Sequence, residues 1–211
     1  MALMKTDPLA PGAFSDLAAV AGGLWDPLTE GRCAAARAAV DFPDSVPLLV
    51  ARLRVETDPK VFGTLESALV SIGSDAVVMG VVPLLRAPKP AVRIVGTDIL
   101  RALGGRSEPV VRALLTDDDP ALRMIGVTIA RTLPNPDAPS WSLDMLRRES
   151  HPGVCMAALD SLAQSRPAGL RPPGLAPVLL DLKTRFPEAD DIAASVDQLL
   201  RLEGLPAPRA P

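Results

Sequence analysis

The sequence predicts an all-α protein in which helical hairpins repeat along the chain, and three observations lead to this fold class. First, five prolines recur at steps of 30 to 32 residues, each before an apolar stretch: Pro27, Pro59, Pro90, Pro120 and Pro152. A steady period of this length is typical of solenoid proteins. Second, 48% of the residues are hydrophobic but only 3% aromatic, so the core is built from small aliphatic side chains that suit packed helices. Third, 23 prolines and 15 glycines separate the apolar stretches.

Each proline is predicted to open the first helix of its repeat. A proline in the first helical turn lacks an N–H that would have no partner there, and its φ angle is already helical. The residue before it is held extended, which is the geometry of a helix N-cap. Asp26, Asp58 and Asp119 occupy that position and supply a carboxylate to the free backbone amides.

Apolar residues then follow at helical spacing and define the buried face of the first helix. In the copy that begins at Pro120 we expect one continuous helical face, formed by Leu122, Ile125, Ile129 and Leu133.

A second helix is predicted in each repeat after a break rich in glycine or proline. The predicted second helices cover residues 45–54, 75–86, 107–115, 140–148 and 174–185. A hairpin of this size cannot bury its apolar face alone, so neighbouring hairpins share one core.

The ends of the chain differ from the repeats. Residues 1–26 are predicted as an N-terminal segment with a capping helix at 11–23 that stops at Gly22 and Gly23. The solenoid is predicted to cover 27–204 and to end in an amphipathic helix over 187–204. Residues 205–211 are expected to be disordered.

The repeated phrase resembles HEAT repeats, in particular the short bacterial kind that also occurs in phycobilin lyases. The first helix in that family typically reads Asp-Pro-x-Val-Arg, and "KPAVRIVGTDILRALG" and "DPALRMIGVTIARTL" match it well. The resemblance covers roughly residues 26–204 and implies a right-handed α–α superhelix of about five helix pairs. It also implies that Arg93 and Arg123 bridge to acids in neighbouring turns. The copies near 26 and 151 depart from the pattern, with Glu30 and Cys155 in the arginine position.

The charge of the chain does not favour nucleic acid or membrane as a partner. The formal net charge is −3 and the isoelectric point is about 5.2, which gives no general attraction for phosphate groups. Asp75 divides the most apolar segment, and the uncharged run after it, residues 76–85, is half the length of a membrane span. We expect a cytoplasmic protein that is a monomer when free.

The sequence offers little for catalysis or for a cofactor, and none is predicted. The one histidine, His151, occupies the same pre-proline position as the capping aspartates, so it is interpreted as a turn residue. No nucleotide-binding or nucleophile motif occurs, and no His/Cys cluster has metal-ligand spacing. Cys33 and Cys155 fall in distant repeats and are expected to be small, unbridged core residues.

Two sets of residues are candidates for partner binding. On the fourth second helix, Trp141, Asp144 and Arg148 share one stripe, which can present an aromatic anchor with polar neighbours. The alternative is that Trp141 covers the seam to a neighbouring repeat. The other set is the arginine-rich end of the second helices, where Arg86, Arg112, Arg147 and Arg148 can dock an acidic partner. Here the alternative is that cations complement helix ends and are neutralised by the acids that follow them.

These observations predict a non-catalytic scaffold or regulatory subunit that binds another protein on the concave face, which the second helices form in the HEAT family. The main alternative is an accessory enzyme resembling the HEAT-containing chromophore lyases, whose concave face holds a ligand in a deep apolar pocket. HEAT-like DNA glycosylases, a third possibility, need a basic groove that this acidic chain does not suggest.

Overall fold

The computed structural model describes residues 14–164 and 172–204, and these residues form α-helices and no strand. The helices of the described part are α1 Leu17–Gly23, α2 Thr29–Ala38, α3 Val46–Val55, α4 Pro59–Ile72, α5 Asp75–Val81, α6 Pro90–Ala102, α7 Glu108–Leu114, α8 Pro120–Ala130, α9 Ala138–Leu146, α10 Pro152–Gln164, α11 Leu175–Arg185 and α12 Asp190–Leu202. Short 3-10 helices cover Ala39–Asp41, Pro43–Ser45, Val82–Arg86 and Gly104–Ser107. The predicted all-α fold class is confirmed.

The chain divides into two compact units, Met1–Arg106 and Ser107–Pro211. In the first unit, α2 packs on α4 and α4 on α6, while α3 packs on α5. The helices that open the hairpins therefore form one layer, and the helices that close them form another. The core between them is aliphatic, and its largest fully buried side chains include Leu49, Leu53, Leu65, Leu69 and Leu84. Each such leucine contributes about 2 kcal/mol by leaving water.

The second unit repeats this arrangement. Helix α8 packs on α10 and α10 on α12, while α9 packs on α11, and α7 lies against α8. Ile129, Leu143, Met145 and Leu179 are fully buried between the layers. In both units each hairpin covers the apolar face of its neighbour, as expected for a helical solenoid.

The prolines open the first helices in four of the five copies, as predicted. Helices α4, α6, α8 and α10 begin at Pro59, Pro90, Pro120 and Pro152. Two of the predicted caps are present: the Asp58 carboxylate accepts a hydrogen bond from Lys60 N at 2.8 Å, and the Asp119 carboxylate accepts one from Ala121 N at 2.9 Å.

The copy at Pro27 departs from the prediction. Helix α2 begins at Thr29, two residues after the proline, and its N-cap is Leu28. The Asp26 carboxylate still accepts a hydrogen bond two residues on, from Leu28 N at 2.7 Å. That contact closes a turn before the helix, so Asp26 is not the N-cap.

Several predicted boundaries also shift. Helix α8 ends at Ala130, so Leu133 is buried in a turn beyond the helix, and Ile125 is only half-buried. The predicted continuous face therefore ends with Ile129. Gly22 and Gly23 are the last residues of α1, not its stop.

Among the second helices, α9 begins two residues before the predicted start. Helix α5 ends at Val81 and continues as the 3-10 helix Val82–Arg86, because Pro83 has no N–H for the next α-helical hydrogen bond. Helix α12 lies within the predicted range of 187–204 but begins three residues later, at Asp190, and ends at Leu202. Asp190 and Asp191 lie in its first turn, and Gly204 follows it with a φ of 67°. Residues 11–13 and the tail 205–211 lie outside the described residues.

Two glycines bring helices into close contact. A Cβ atom at Gly126 in α8 would lie 3.0 Å from Leu114 Cβ and 3.1 Å from Leu115 N. A Cβ atom at Gly96 in α6 would lie 3.1 Å from Leu84 Cβ. Each glycine stands six residues after its repeat proline, so the same position allows a close helix contact in both copies.

Candidate functional site

A groove opens between α3 and α5 in the first unit. Its volume is about 600 Å³, and the side chains and backbone that line it are mostly apolar: Pro43, Val46, Pro47, Val50, Ala51, Val55, Ala76 and Gly80, with Asp44 and Arg54 as the charged members. Both helices are second helices, so the groove lies on the layer for which partner binding is predicted. We call it the α3–α5 groove.

Gly80 lines this groove and is the penultimate residue of α5. A Cβ atom at Gly80 would lie 3.4 Å from Val46 Cγ1 and 3.5 Å from Val50 Cγ2, which is ordinary contact. Packing therefore does not require glycine here, and a side chain longer than alanine would extend into the groove. Met79, the residue before Gly80, is 66% exposed.

A basic hollow adjoins the groove. It has a volume of about 300 Å³ and is lined by Arg54, Pro83, Arg86, Ala87, Pro88, Lys89 and Val92. Arg54 lines both spaces and so joins them. Within the described part of the chain, Arg54 forms no hydrogen bond or ion pair, which leaves its guanidinium available to a ligand.

In the second unit, Trp141 is only 9% exposed. The guanidinium of Arg112 lies over its ring, 3.9 Å from the ring centre. Arg112 Nε is held by Glu108 Oε1 at 3.0 Å, and Asn135 donates to the other oxygen of Glu108 at 2.8 Å. Of the two alternatives for Trp141, this burial fits the one in which the ring packs against its neighbours. Leu143 and Leu146 are buried, as expected.

The rest of the predicted stripe is exposed. Asp144 is on the surface of α9, and its carboxylate lies 3.5 Å from Arg147 Nε. Arg148 is also exposed and lines a polar hollow with Glu149 and Asp117. The structure therefore brings Trp141 and Arg112 together, and places Asp144 and Arg147 beside each other.

Acids pair with several cations near the ends of the second helices, but only Glu56 closely follows its partner in the sequence, as the alternative interpretation expects. Arg52 binds Glu56 at 2.7 Å, Arg112 binds Glu108 at 3.0 Å, and Lys183 binds Asp197 at 2.9 Å. Arg185 Nε lies 2.7 Å from Asp181 Oδ2. Arg54 and Arg86 line the basic hollow.

Arg123 has a structural role that agrees with its predicted contact to an acid. Its Nε and Nη2 donate to Glu149 at 2.6 and 2.8 Å, and its Nη1 donates to the carbonyls of Asp117 and Asp118. Burial alone would raise the pKa of Glu149, but Arg123 and the amides of His151 and Ser150 lower it overall. The pair joins the start of α8 to the turn that follows α9.

Two other copies share the contact in which an arginine donates to two carbonyls of the turn before its helix. Arg93 Nη1 donates to the carbonyls of Ala87 and Pro88, six and five residues before it. Arg32 Nη1 donates to those of Asp26 and Pro27 at the same offsets. Arg32 Nε also binds Glu56 at 3.0 Å. The prediction that Arg93 reaches an acid stays a prediction.

The repeat pattern does not identify Arg32, because alignment of the first copy on Pro27 puts Glu30 in the arginine position. A signal was present: "RVETDP" and "RRESHP" share a Glu two residues before the pre-proline residue. Glu56 and Glu149 are those residues, and each accepts hydrogen bonds from the next two backbone amides.

The fifth copy has Cys155 in the arginine position. There Arg185 from α11 replaces the missing arginine in part, because it donates to backbone carbonyls near the turn before α10. Its Nη1 donates to the carbonyl of Glu149, and its Nη2 donates to that of Leu146. Cys155 Sγ lies 3.9 Å from the Glu149 carbonyl. Burial raises the pKa of the Cys155 thiol to about 11, so the thiol stays protonated at neutral pH. Cys33 and Cys155 are both buried and unbridged, as expected.

Neither a metal cluster nor a membrane helix is found where the structure describes the chain. Across residues 14–164 and 172–204, no three His, Cys, Asp or Glu side chains are grouped to hold a metal ion. In the same ranges, every helix is too short or too polar to reach across a bilayer.

Comparison with known protein families finds no match, and comparison with curated proteins finds none either. Among solved structures, the crystal structure of an engineered protein from the Northeast Structural Genomics Consortium resembles this chain. The similarity covers 88% of this chain and 95% of that one, with 16% sequence identity and a TM-score of 0.38.

Proposed function

We propose that this chain is a non-catalytic, cytoplasmic scaffold or regulatory subunit of the HEAT type, with right-handed stacking of its helix pairs, that binds another protein on its second helices. The α3–α5 groove carries this proposal. An apolar groove that is open to solvent, on a helix that also exposes the large side chain of Met79, is a surface that a partner would bury.

The second unit offers a polar surface to the same kind of partner. Arg112 and Asp144 are exposed on α7 and α9, and Arg147 and Arg148 are exposed directly after α9. Rim charges of this sort steer association and specificity. Trp141 supports this surface from below, because its ring orients Arg112. Trp141→Ala would therefore weaken binding through Arg112, by loss of the surface on which the guanidinium rests.

The test is capture of a partner from the native host by the tagged full chain, with cross-linking and mass spectrometry. Wild type should retain one protein in near-stoichiometric amount. Met79→Glu places a charge on the exposed face of α5, one of the two helices that border the groove, and should release that protein. Ile94→Glu is the matched control, because Ile94 is 59% exposed but lies on α6, a first helix. A partner held equally by both variants would refute the second-helix surface as the binding face.

A ligand-handling role is the second candidate, and the volume of the groove is what favours it. About 600 Å³ is within the range of small-molecule sites, although Pro47, Ala51, Val55 and Ala76 are exposed along its length. Such a protein should purify with an absorbing ligand, so a visible absorption spectrum of the protein from its native host distinguishes the two. Bound tetrapyrrole without a protein partner would favour the lyase-like alternative.

A further inference from the structure

We infer that the α3–α5 groove and the basic hollow together bind a short partner segment in which an apolar side chain is followed, within a few residues, by carboxylates. This inference rests on the proposed function, because it specifies the chemistry of the partner that the second helices bind. The observation behind it is the sharing of Arg54 between an apolar space and a basic one.

The apolar part of the site is built to hold a side chain. Val46 and Val50 on α3 and Gly80 on α5 line it together, with the Gly80 Cβ position 3.4 and 3.5 Å from methyl groups of the two valines, so a bound side chain would rest on these residues. Burying a leucine-sized side chain here would remove its apolar surface from water, which favours binding. One anchor of this kind with a few polar contacts gives the modest affinity typical of short segments.

The charges fix where the carboxylates lie. Asp44 precedes α3 and Arg54 is in its last turn, ten residues later, which separates them by about 15 Å along the helix. Acidic side chains are therefore repelled at the Asp44 end and attracted at the Arg54 end. Arg86 and Lys89 add two further cations at that end.

The geometry also sets the spacing in the partner. From the middle of the groove to its basic end is about 7–10 Å, which an extended segment crosses in about two to three residues. A leucine with two acids at this distance would contact both spaces at once. A segment with the same residues but basic side chains would meet Arg54, Arg86 and Lys89 with like charge.

The experiment uses the full chain and a defined panel of fluorescein-labelled twelve-residue peptides in a Gly/Ser background. One peptide carries a Leu followed three residues later by Glu-Glu, and its matched peptides change Glu-Glu to Gln-Gln or Lys-Lys, or Leu to Ser. Fluorescence anisotropy reports binding at low and high salt. We expect the Leu/Glu peptide to bind, the three matched peptides to lose about tenfold or more, and affinity to fall with salt.

Two variants and their controls locate the site. Gly80→Leu fills the groove and Arg54→Glu reverses the shared charge, and each should lower affinity by about tenfold. Gly63→Leu and Arg37→Glu are the controls, because Gly63 is exposed in α4 with no atom within 4 Å of its Cβ position and Arg37 lies on α2. Both controls should stay within about twofold of wild type. Circular dichroism verifies that all four variants fold.

Several results would overturn the inference. If Gly80→Leu and Arg54→Glu both leave the affinity for the Leu/Glu peptide unchanged, the site lies elsewhere. If wild type binds the Leu/Glu peptide no better than the three matched peptides, the site does not select an apolar side chain with carboxylates. Arg54-dependent binding to phosphatidylcholine–phosphatidylglycerol vesicles without peptide binding would assign the basic hollow to a lipid surface. A concentration-dependent dimer that Arg54→Glu abolishes would make a second copy the occupant. If the host partner of the wild type is retained by Gly80→Leu and Arg54→Glu but released by Met79→Glu, the inference fails while the proposed function stands.

Discussion

Arg123 and Glu149 form a two-point ion pair, with N–O distances of 2.6 and 2.8 Å, that holds α8 against the turn after α9. The side chain of Glu149 is 2% exposed and that of Arg123 is 16% exposed. Because Glu149 also accepts the amides of Ser150 and His151, one carboxylate organises the turn that precedes α10. In the first unit Glu56 occupies the equivalent place with Arg32 and Arg52.

Replacing Glu149 with Gln should destabilise the protein. The substitution keeps the side-chain shape but leaves the buried guanidinium of Arg123 without its counter-charge, so we expect a loss of about 2–4 kcal/mol in the free energy of unfolding. Urea denaturation followed by circular dichroism measures it. Glu30→Gln is the control: its pair with Lys60 is 61% exposed on the Glu30 side, and the loss should stay below about 0.5 kcal/mol. Equal effects in both variants would show that the Arg123 pair adds no more than a surface contact.

Acid should weaken the first unit through Glu56. Burial alone would raise the pKa of Glu56, but the amides of Asp58 and Thr57 and the Arg52 guanidinium lower it to about 2, against 4.5 ordinarily. A carboxyl with a lowered folded-state pKa stabilises above its unfolded value, and this stability is lost as the pH falls from about 4.5 to about 2. The difference is on the order of 3 kcal/mol.

We therefore expect the unfolding free energy of wild type to fall between pH 4.5 and 2, and Glu56→Gln to flatten part of that fall. Urea titrations at a series of pH values measure both curves. Parallel curves for the two proteins would mean that Glu56 titrates alike in the folded and unfolded states.

Gly126 and Gly63 should respond in opposite directions to alanine. A Cβ atom at Gly126 meets the backbone of Leu114 and Leu115 at 3.1–3.2 Å, so Gly126→Ala should cost about 1–3 kcal/mol by forcing α7 and α8 apart. Gly63 lies in the interior of α4 with no atom within 4 Å of its Cβ position. Gly63→Ala should therefore stabilise by about 0.5–1 kcal/mol. Thermal melts of the two variants provide the comparison, and a stabilising Gly126→Ala would contradict the close approach of the helices.

Asp58 should contribute more than a helix cap alone. Its carboxylate accepts Lys60 N at 2.8 Å and the Thr29 hydroxyl at 2.7 Å, so it caps α4 and ties it to the start of α2. Asp58→Ala should lower the unfolding free energy by about 1–2 kcal/mol. Thr29→Val removes only the second contact and should cost less, about 0.5–1.5 kcal/mol. If Thr29→Val costs as much as Asp58→Ala in urea denaturation, the cap itself contributes nothing.

Local chemistry explains why much of the fold is predictable from sequence. Pro59, Pro90, Pro120 and Pro152 begin their helices because a proline ring and a preceding extended residue act within one turn, and the Asp58 and Asp119 caps follow from the same geometry. The contact of Arg123 with an acid was also expected, from the repeat phrase of the HEAT family.

The features that sequence reasoning missed depend on residues far apart in the chain. Arg185 reaches carbonyls 36 and 39 residues before it, which no local pattern reveals. The α3–α5 groove depends on how far the two helices separate, and on the choice of glycine at position 80. Whether Trp141 is exposed or buried depends on where Arg112 and the other side chains around the ring lie. The position of Trp141 on a helical stripe therefore could not decide between a partner-binding anchor and a side chain that covers a seam between repeats.

The arginine that donates to the two carbonyls of the preceding turn stands three residues after the start of its helix at Arg32, Arg93 and Arg123 alike, and only the last two helices start with proline. Helix α2 keeps the arginine contact although Asp26-Pro27 lies ahead of its first residue, whereas α4 and α10 begin with proline but carry Phe62 and Cys155 at the arginine position. Neither signal alone therefore locates every helix start. A search keyed to the Asp-Pro phrase would consequently misplace the start of a hairpin such as the one that α2 opens.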